Sequence, residues 1–172
     1  MTEAFLPLSS EDIQRAVAPL LGLPVTLVHF YESVLLIQLG EVQAADSIMP
    51  ISDATLMITT DWALGSPGGL VVTGELQGSD LEKTLATLHG RTVTKILATN
   101  DYFDLVLSLS GACEFVASGK VPHRWHITIR GRKLIPKVKG FNAVDTVALY
   151  PFPDGGGLSM NVRGDKDWSA SY

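Results

Sequence analysis

The sequence predicts an α+β fold: an internally duplicated helix-plus-antiparallel-β-meander unit, two helices packed on antiparallel sheets. Three observations carry that expectation. Apolar residues make up 46% of the 172-residue chain and charged residues 18%, a globular composition with material for a substantial core. Residues 79–111 read as helix, glycine stop, strand, turn, strand, and residues 10–40 read the same way. The order then continues in both copies, where Trp62 matches Trp125.

The elements follow in order. Residues 1–8 are a lead-in. Ser9 stands three residues before Asp12, a capping-box start, and Ile13, Val17, Leu20 and Leu21 make one apolar stripe. Pro19 disturbs the last turn and Gly22 stops the helix. Strands are expected over 25–31 and 34–39 with Glu32-Ser33 as the turn, a loop over 41–54, and one half-buried strand through Leu56, Ile58, Trp62 and Leu64. Residues 66–69 turn into a further strand at 70–73. The second copy opens on a Ser79/Glu82 capping box, with Leu81, Leu85 and Leu88 as the stripe and Gly90 as the stop. Strands follow over 92–99 and 104–110 across an Asn100-Asp101 turn, then over 113–117. Trp125, Ile127 and Ile129 alternate with His126, Thr128 and Arg130, Gly131 turns the chain, and 134–138 returns as a strand. Strands at 144–150 and 158–162 close the chain before a loose tail. Arg163-Gly164-Asp165 spells an adhesion tripeptide by coincidence.

Placing Gly22 on Gly90 puts Ile13 on Leu81, Val17 on Leu85, Leu20 on Leu88 and Val25 on Val93. Gly40 then matches Gly111, and Leu64, Gly68 and Val72 match Ile127, Gly131 and Ile135. The expected organisation is one domain made of repeats 9–76 and 78–140, a β extension over 141–164, and a tail.

No apolar run reaches the roughly 20 residues of a bilayer span, and the acidic N-terminus lacks a signal-peptide pattern. The single cysteine, Cys113, forms no internal disulfide. A cytoplasmic location is therefore expected. The net charge of −5 hides an asymmetry. Residues 1–82 carry 11 acids and one base, whereas 119–139 carry 7 bases and no acid. Such polarity steers a charged partner, or the halves neutralise each other in the fold.

Each copy resembles a class of small bacterial α+β domains with a helix ending L-x-x-L-x-G-x-x-V, a D-x-L-x-L-x-F-x-x-G hairpin, and a W-x-L segment before a glycine-rich turn. Leu85, Leu88, Gly90, Val93, Asp104, Leu107 and Gly111 carry the resemblance in the second copy, and residues 61–69 in the first. Ser108 and Ser110 depart from it, standing where the pattern has an aromatic and an acid. The resemblance implies an immunity partner of a bacterial toxin, or an accessory protein of that kind.

No catalytic constellation, metal site or cofactor motif is read from the residues. His123 and His126 point to opposite faces of a strand, so no zinc site is expected. Cys113 reads as a small buried strand residue, and Asp101, Asp104, Glu32 and Asp61 as turn or strand-edge carboxylates. Gly-rich 66–69 and 154–157 open no helix and cradle no phosphate. Two binding regions remain. One is a basic ribbon of Arg124, His126, Arg130 and Arg132 on one face, with Lys137 and Lys139 on the return strand. The other is acidic, with Glu41, Asp46 and Asp53. A solvated strand edge guarded by charge accounts for the ribbon equally well. The expected function is a non-enzymatic protein-binding protein. Its rivals are a nucleic-acid-binding module through the ribbon and a small hydrolase, and a homodimer through an uncovered sheet edge stays open.

Overall fold

Strands, not helices, make up most of the described residues, which overturns the α+β expectation. A computed structural model describes residues 2–43, 51–59, 62–66, 69, 71–73, 79–99, 104–118, 125–138, 141–151 and 158–166. Of these, 64% lie in strands and 14% in helices. The helices α1 (Ser10–Val17) and α2 (Ser79–Ala86) have 8 residues each, about 12 Å of helix, too short to cover a sheet. Ile13, Val17, Leu20, Leu81, Leu85 and Leu88 are buried as the stripes predict, but Leu21, expected in the first stripe, is 50% exposed. The last buried member of each stripe, Leu20 or Leu88, rides on a tight turn. Pro19 sits in a 3-10 turn, Ala18–Leu20, and after α2 the N–H groups of Thr87, Leu88 and His89 each reach back three residues to a carbonyl.

The core lies between two antiparallel sheets. Seven strands form the first: β1 (Thr2–Leu8), β2 (Val25–Tyr31), β3 (Val34–Gln43), β4 (Ile51–Ile58), β10 (Trp125–Ile129), β11 (Phe141–Pro151) and β12 (Leu158–Lys166), in the order β1-β12-β11-β10-β4-β3-β2. The second has the order β6-β5-β9-β8-β7, from β5 (Trp62–Gly65), β6 (Val71–Thr73), β7 (Val93–Thr99), β8 (Asp104–Leu109) and β9 (Cys113–Ala117). Glu32 and Ser33 turn β2 into β3 with φ of 46° and 72°, the backbone of a tight two-residue hairpin turn.

The chain changes sheets twice. Leu56, Ile58, Trp62 and Leu64 do not share a strand: Ile58 pairs with Trp125 in the first sheet, and Trp62 pairs with Ala117 in the second. Parity is blind to this, because both segments bury the same face. In the second half, β10 makes the opposite crossing, from β9 back to β4. The helices are exchanged as well, with α1 against β7 and α2 against β2.

Where β2 and β7 begin, Pro24 bridges Thr92. The hydrogen bonds there come in reciprocal pairs under the shift that carries Gly22 onto Gly90. Gly22 N–H donates to Val93 O (2.8 Å) and Gly90 N–H to Val25 O (2.7 Å); Val25 N–H donates to Arg91 O (2.7 Å) and Val93 N–H to Leu23 O (2.9 Å). Later matches move slightly. Gly40 N–H donates to Pro24 O and Ser110 N–H to Thr92 O, so Ser110, not Gly111, holds the place of Gly40. Val72 pairs with Leu64 as Leu149 pairs with Ile127, so the counterpart of Val72 is Leu149, not Ile135.

Other expectations change too. The lead-in is β1, paired with β12. Both ends of the loop expected over 41–54 are strand, since β3 runs to Gln43 and β4 starts at Ile51, and 44–50 lie outside the described residues. The return strand at 134–138 does not form: Arg132, Lys133 and Leu134 turn, and 135–138 is irregular. There is thus no basic two-stranded ribbon, because β10 lies between β4 and β11 and both its edges are taken. Arg163, Gly164 and Asp165 belong to β12, opposite β11. The Asn100-Asp101 turn and the tail from 167 lie outside the described residues. Among those residues no helix is long and apolar enough to cross a membrane.

The capping box at α1 forms as expected. Asp12 N–H donates to Ser9 Oγ (3.2 Å), and Ser9 N–H and Oγ–H donate to Asp12 Oδ2 (3.0 and 2.6 Å). The Ser9 hydroxyl, then the Ser9 backbone, hold the Asp12 carboxyl below its ordinary 3.8. A depressed folded value stabilises the protein above the unfolded value, and the gain is lost as pH falls through the folded one. Asp12→Asn should therefore lower the urea midpoint at pH 7, and the gap to the parent should close as pH falls below the ordinary carboxylate range. A gap that persists there would show that the charge is not what stabilises the cap.

Candidate functional site

The two regions that distinguish the halves, acidic and basic, meet at one end of the seven-stranded sheet. They line a cleft of about 930 Å³. One wall is the start of β2, with Leu23, Pro24 and Thr26. The floor comes from Gly40 and Glu41 of β3 and from Ile51 and Asp53 of β4. The opposite wall is the turn from Arg130 to Leu134. β3 slips register against β4 between Leu39 and Val42, a bulge that opens the pairing at Gly40 and Glu41.

Asp53 ties these pieces together. Its backbone carbonyl accepts from the N–H groups of Arg130 (2.8 Å) and Gly131 (2.9 Å). Its Oδ2 accepts from Glu41 N–H at 2.8 Å. The carboxylate is wedged between two glycines: a Cβ on Gly40 would stand 2.6 Å from Oδ2, and one on Gly131 2.7 Å from Oδ1. Neither position accepts a larger residue without moving Asp53. Behind it, Gln38 Oε1 accepts from Thr55 Oγ1 (2.9 Å), Ser52 Oγ and Ser52 N–H.

Arg130 follows β10 directly and is half-buried. Its Nη1 donates to Thr55 Oγ1 at 3.3 Å, a long bond, and no carboxylate among the described residues pairs with it. Burial lowers its pKa, since lost water disfavours the charged guanidinium. Arg91 makes the contrast. Its Nε and Nη1 donate to the carbonyls of Thr87 (3.0 Å) and Ser110 (2.8 Å). Arg91 is a structural clasp, whereas Arg130 keeps most of its donors uncommitted among the described residues. Arg132 and Lys133 are exposed beside it.

The cleft gathers four expected residues, Glu41, Asp53, Arg130 and Arg132. His126 sits half-buried farther along β10, opposite Met57, and does not line it. Lys137 is exposed in a separate depression that shares Arg132. Asp46, Arg124 and Lys139 lie outside the described residues, as do His123, Asp61 and Asp101. Sequence reasoning passed over Lys133, Ile51 and the two glycines. The glycines carried a signal, each standing directly after an expected strand.

Cys113 is buried, its Sγ 3.9 Å from Gly111 O. The depression over it is lined by Thr94, Ser108, Ser110 and Glu114, with no histidine among the described residues. No group of three or more His, Cys, Asp or Glu among those residues could hold a metal ion. What the cleft offers is ion pairing beside apolar surface. Comparison with protein-family models, with curated proteins and with solved structures finds no match.

Proposed function

We propose that the chain is a cytoplasmic, non-enzymatic binding protein that takes up a partner protein at this cleft, in a role of the immunity or accessory kind. The observation that carries the reading is Arg130, a half-buried guanidinium with no carboxylate partner among the described residues, next to exposed Arg132 and Lys133. Leaving a charge half out of water costs stability unless a counter-charge arrives, and a partner that brings one recovers that cost. The apolar side chains in the lining, Leu23, Pro24, Ile51 and Leu134, give a protein partner apolar surface to bury beside the charges.

The test is capture on the immobilised full chain and on an Arg130→Ala/Arg132→Ala/Lys133→Ala variant. A partner of the cleft is retained by the parent at low salt, elutes as salt screens the charges, and is lost from the variant. Identical retention by both would overturn the reading. So would retention on a heparin column that the variant loses while protein capture is unchanged, which would favour a nucleic acid instead. Arg132 and Lys133 are exposed and Arg130 gives up only one long bond, to Thr55, so circular dichroism of the variant should match the parent.

A further inference from the structure

We infer that Arg130 is the anchor of the cleft and that it receives a side-chain carboxylate on an acidic, apolar segment of the partner; the inference rests on the binding role proposed above. Three observations converge on it. Arg130 spends one donor on Thr55, and the rest of its planar fork matches the two oxygens of a carboxylate. Apolar side chains stand beside the charges: Leu23, Pro24, Ile51 and Leu134 line the cleft, and Ile51 is 38% exposed. The corresponding place in the other half is arranged differently. Ser110 stands there for Gly40, and the cation beside it, Arg91, spends its Nε and Nη1 on the carbonyls of Thr87 and Ser110. An uncommitted guanidinium is therefore particular to the cleft.

Glu41 and Asp53 decide between kinds of anion. Both carboxylates line the cleft beside the three cations, so a polyphosphate backbone meets repulsion at every step, whereas a single carboxylate can reach Arg130 while Glu41 stays exposed and Asp53 keeps its bond to Glu41 N–H. Arg132 and Lys133, being exposed, act on encounter and not on retention.

The experiment uses the full chain and a short synthetic peptide of alternating aspartate and leucine, with an asparagine-for-aspartate control and a single-stranded oligonucleotide as competitor. The aspartate peptide should bind, the asparagine peptide should bind at least about tenfold more weakly, and Arg130→Gln should weaken the aspartate peptide by a similar factor. Arg130→Lys should recover part of that loss. Arg132→Gln should slow association and flatten the salt dependence with dissociation unchanged. Equal binding of the two peptides, or by Arg130→Gln and the parent, would overturn the inference. Displacement of the peptide by the oligonucleotide at equal concentration would do the same. If Arg130→Gln binds normally while capture still depends on Arg132 and Lys133, the anchor falls and the binding role stands. If capture is independent of all three cations, the binding role itself falls. A melting temperature of Arg130→Gln within a few degrees of the parent separates binding from stability.

Discussion

Gly40→Ala should cost about 2–5 kcal/mol of stability, two effects acting at one atom. Gly40 has φ of +83°, a conformation that costs an L-residue roughly 1–2 kcal/mol. Its new Cβ would also stand 2.8 Å from the Asp53 Cβ and 2.6 Å from Oδ2, an overlap worth about 1–3 kcal/mol of strain. At roughly 2–4 °C per kcal/mol for a chain of this size, melting should fall by about 4–20 °C. Gly22 supplies the control. Its φ is +84°, but nothing lies within 4 Å of where its Cβ would be, so Gly22→Ala should show the backbone cost alone. Asp53→Ala introduced with Gly40→Ala removes the carboxylate but keeps the Cβ at 2.8 Å, so it should relieve part of the overlap, and the double variant should be more stable than the two losses summed. Equal urea midpoints for Gly40→Ala and Gly22→Ala would mean that Asp53 is not packed as described.

The same contact explains what the sequence could and could not reveal. Elements written locally were legible: the Ser9/Asp12 box, the Glu32-Ser33 turn, the stops at Gly22 and Gly90, and the period-two burial of β8, β9 and most of β10. Partnerships were not. Nothing in Leu56, Ile58, Trp62 and Leu64 distinguishes one strand from two strands in different sheets, because alternation reports which face is buried and not which neighbour covers the edge. The α+β expectation failed for a related reason. An apolar stripe such as Leu81, Leu85 and Leu88 is equally well buried on a helix of two turns followed by tight turns, and stripe length cannot set helix length. The return strand over 134–138 failed because β10 already has β4 and β11 at its edges, and a pairing that distant leaves no local mark.

The site was half legible. Residue types marked an acidic and a basic region, and the topology made them one cleft. The sheet crossing brings Arg130 to Asp53 because β10 joins β4 antiparallel, with Ile129 opposite Ala54. The residue that follows β10 then meets the residue that precedes Ala54 within β4. A shift of that register by one would turn the cations to the opposite face, so the charge arrangement depends on the exchange of strands between the sheets.

That exchange makes Trp62 the second position of large effect. Trp62 is 2% exposed and touches rings from both sheets: Phe30 of β2 edge-on at 6.1 Å, and Phe115 of β9 tilted at 6.0 Å. Trp62→Ala should cost about 3–5 kcal/mol through lost transfer energy and the cavity left behind, and melting should drop by roughly 6–20 °C. Trp62→Phe should cost far less than its lost volume implies. The indole Nε1–H is buried with no acceptor among the described residues, and an unmet buried donor carries a penalty of about 1–3 kcal/mol. Removing that donor offsets much of the lost packing, and the net change should stay within about 1 kcal/mol. Urea unfolding of the two variants reads the difference directly, and equal losses would mean that the indole N–H is satisfied after all. Because the ring's neighbours belong to different sheets, Trp62→Ala should also reduce amide-exchange protection in both β2 and β9, not in β5 and its own sheet alone. Loss confined to the five-stranded sheet would show that the two sheets are held together elsewhere.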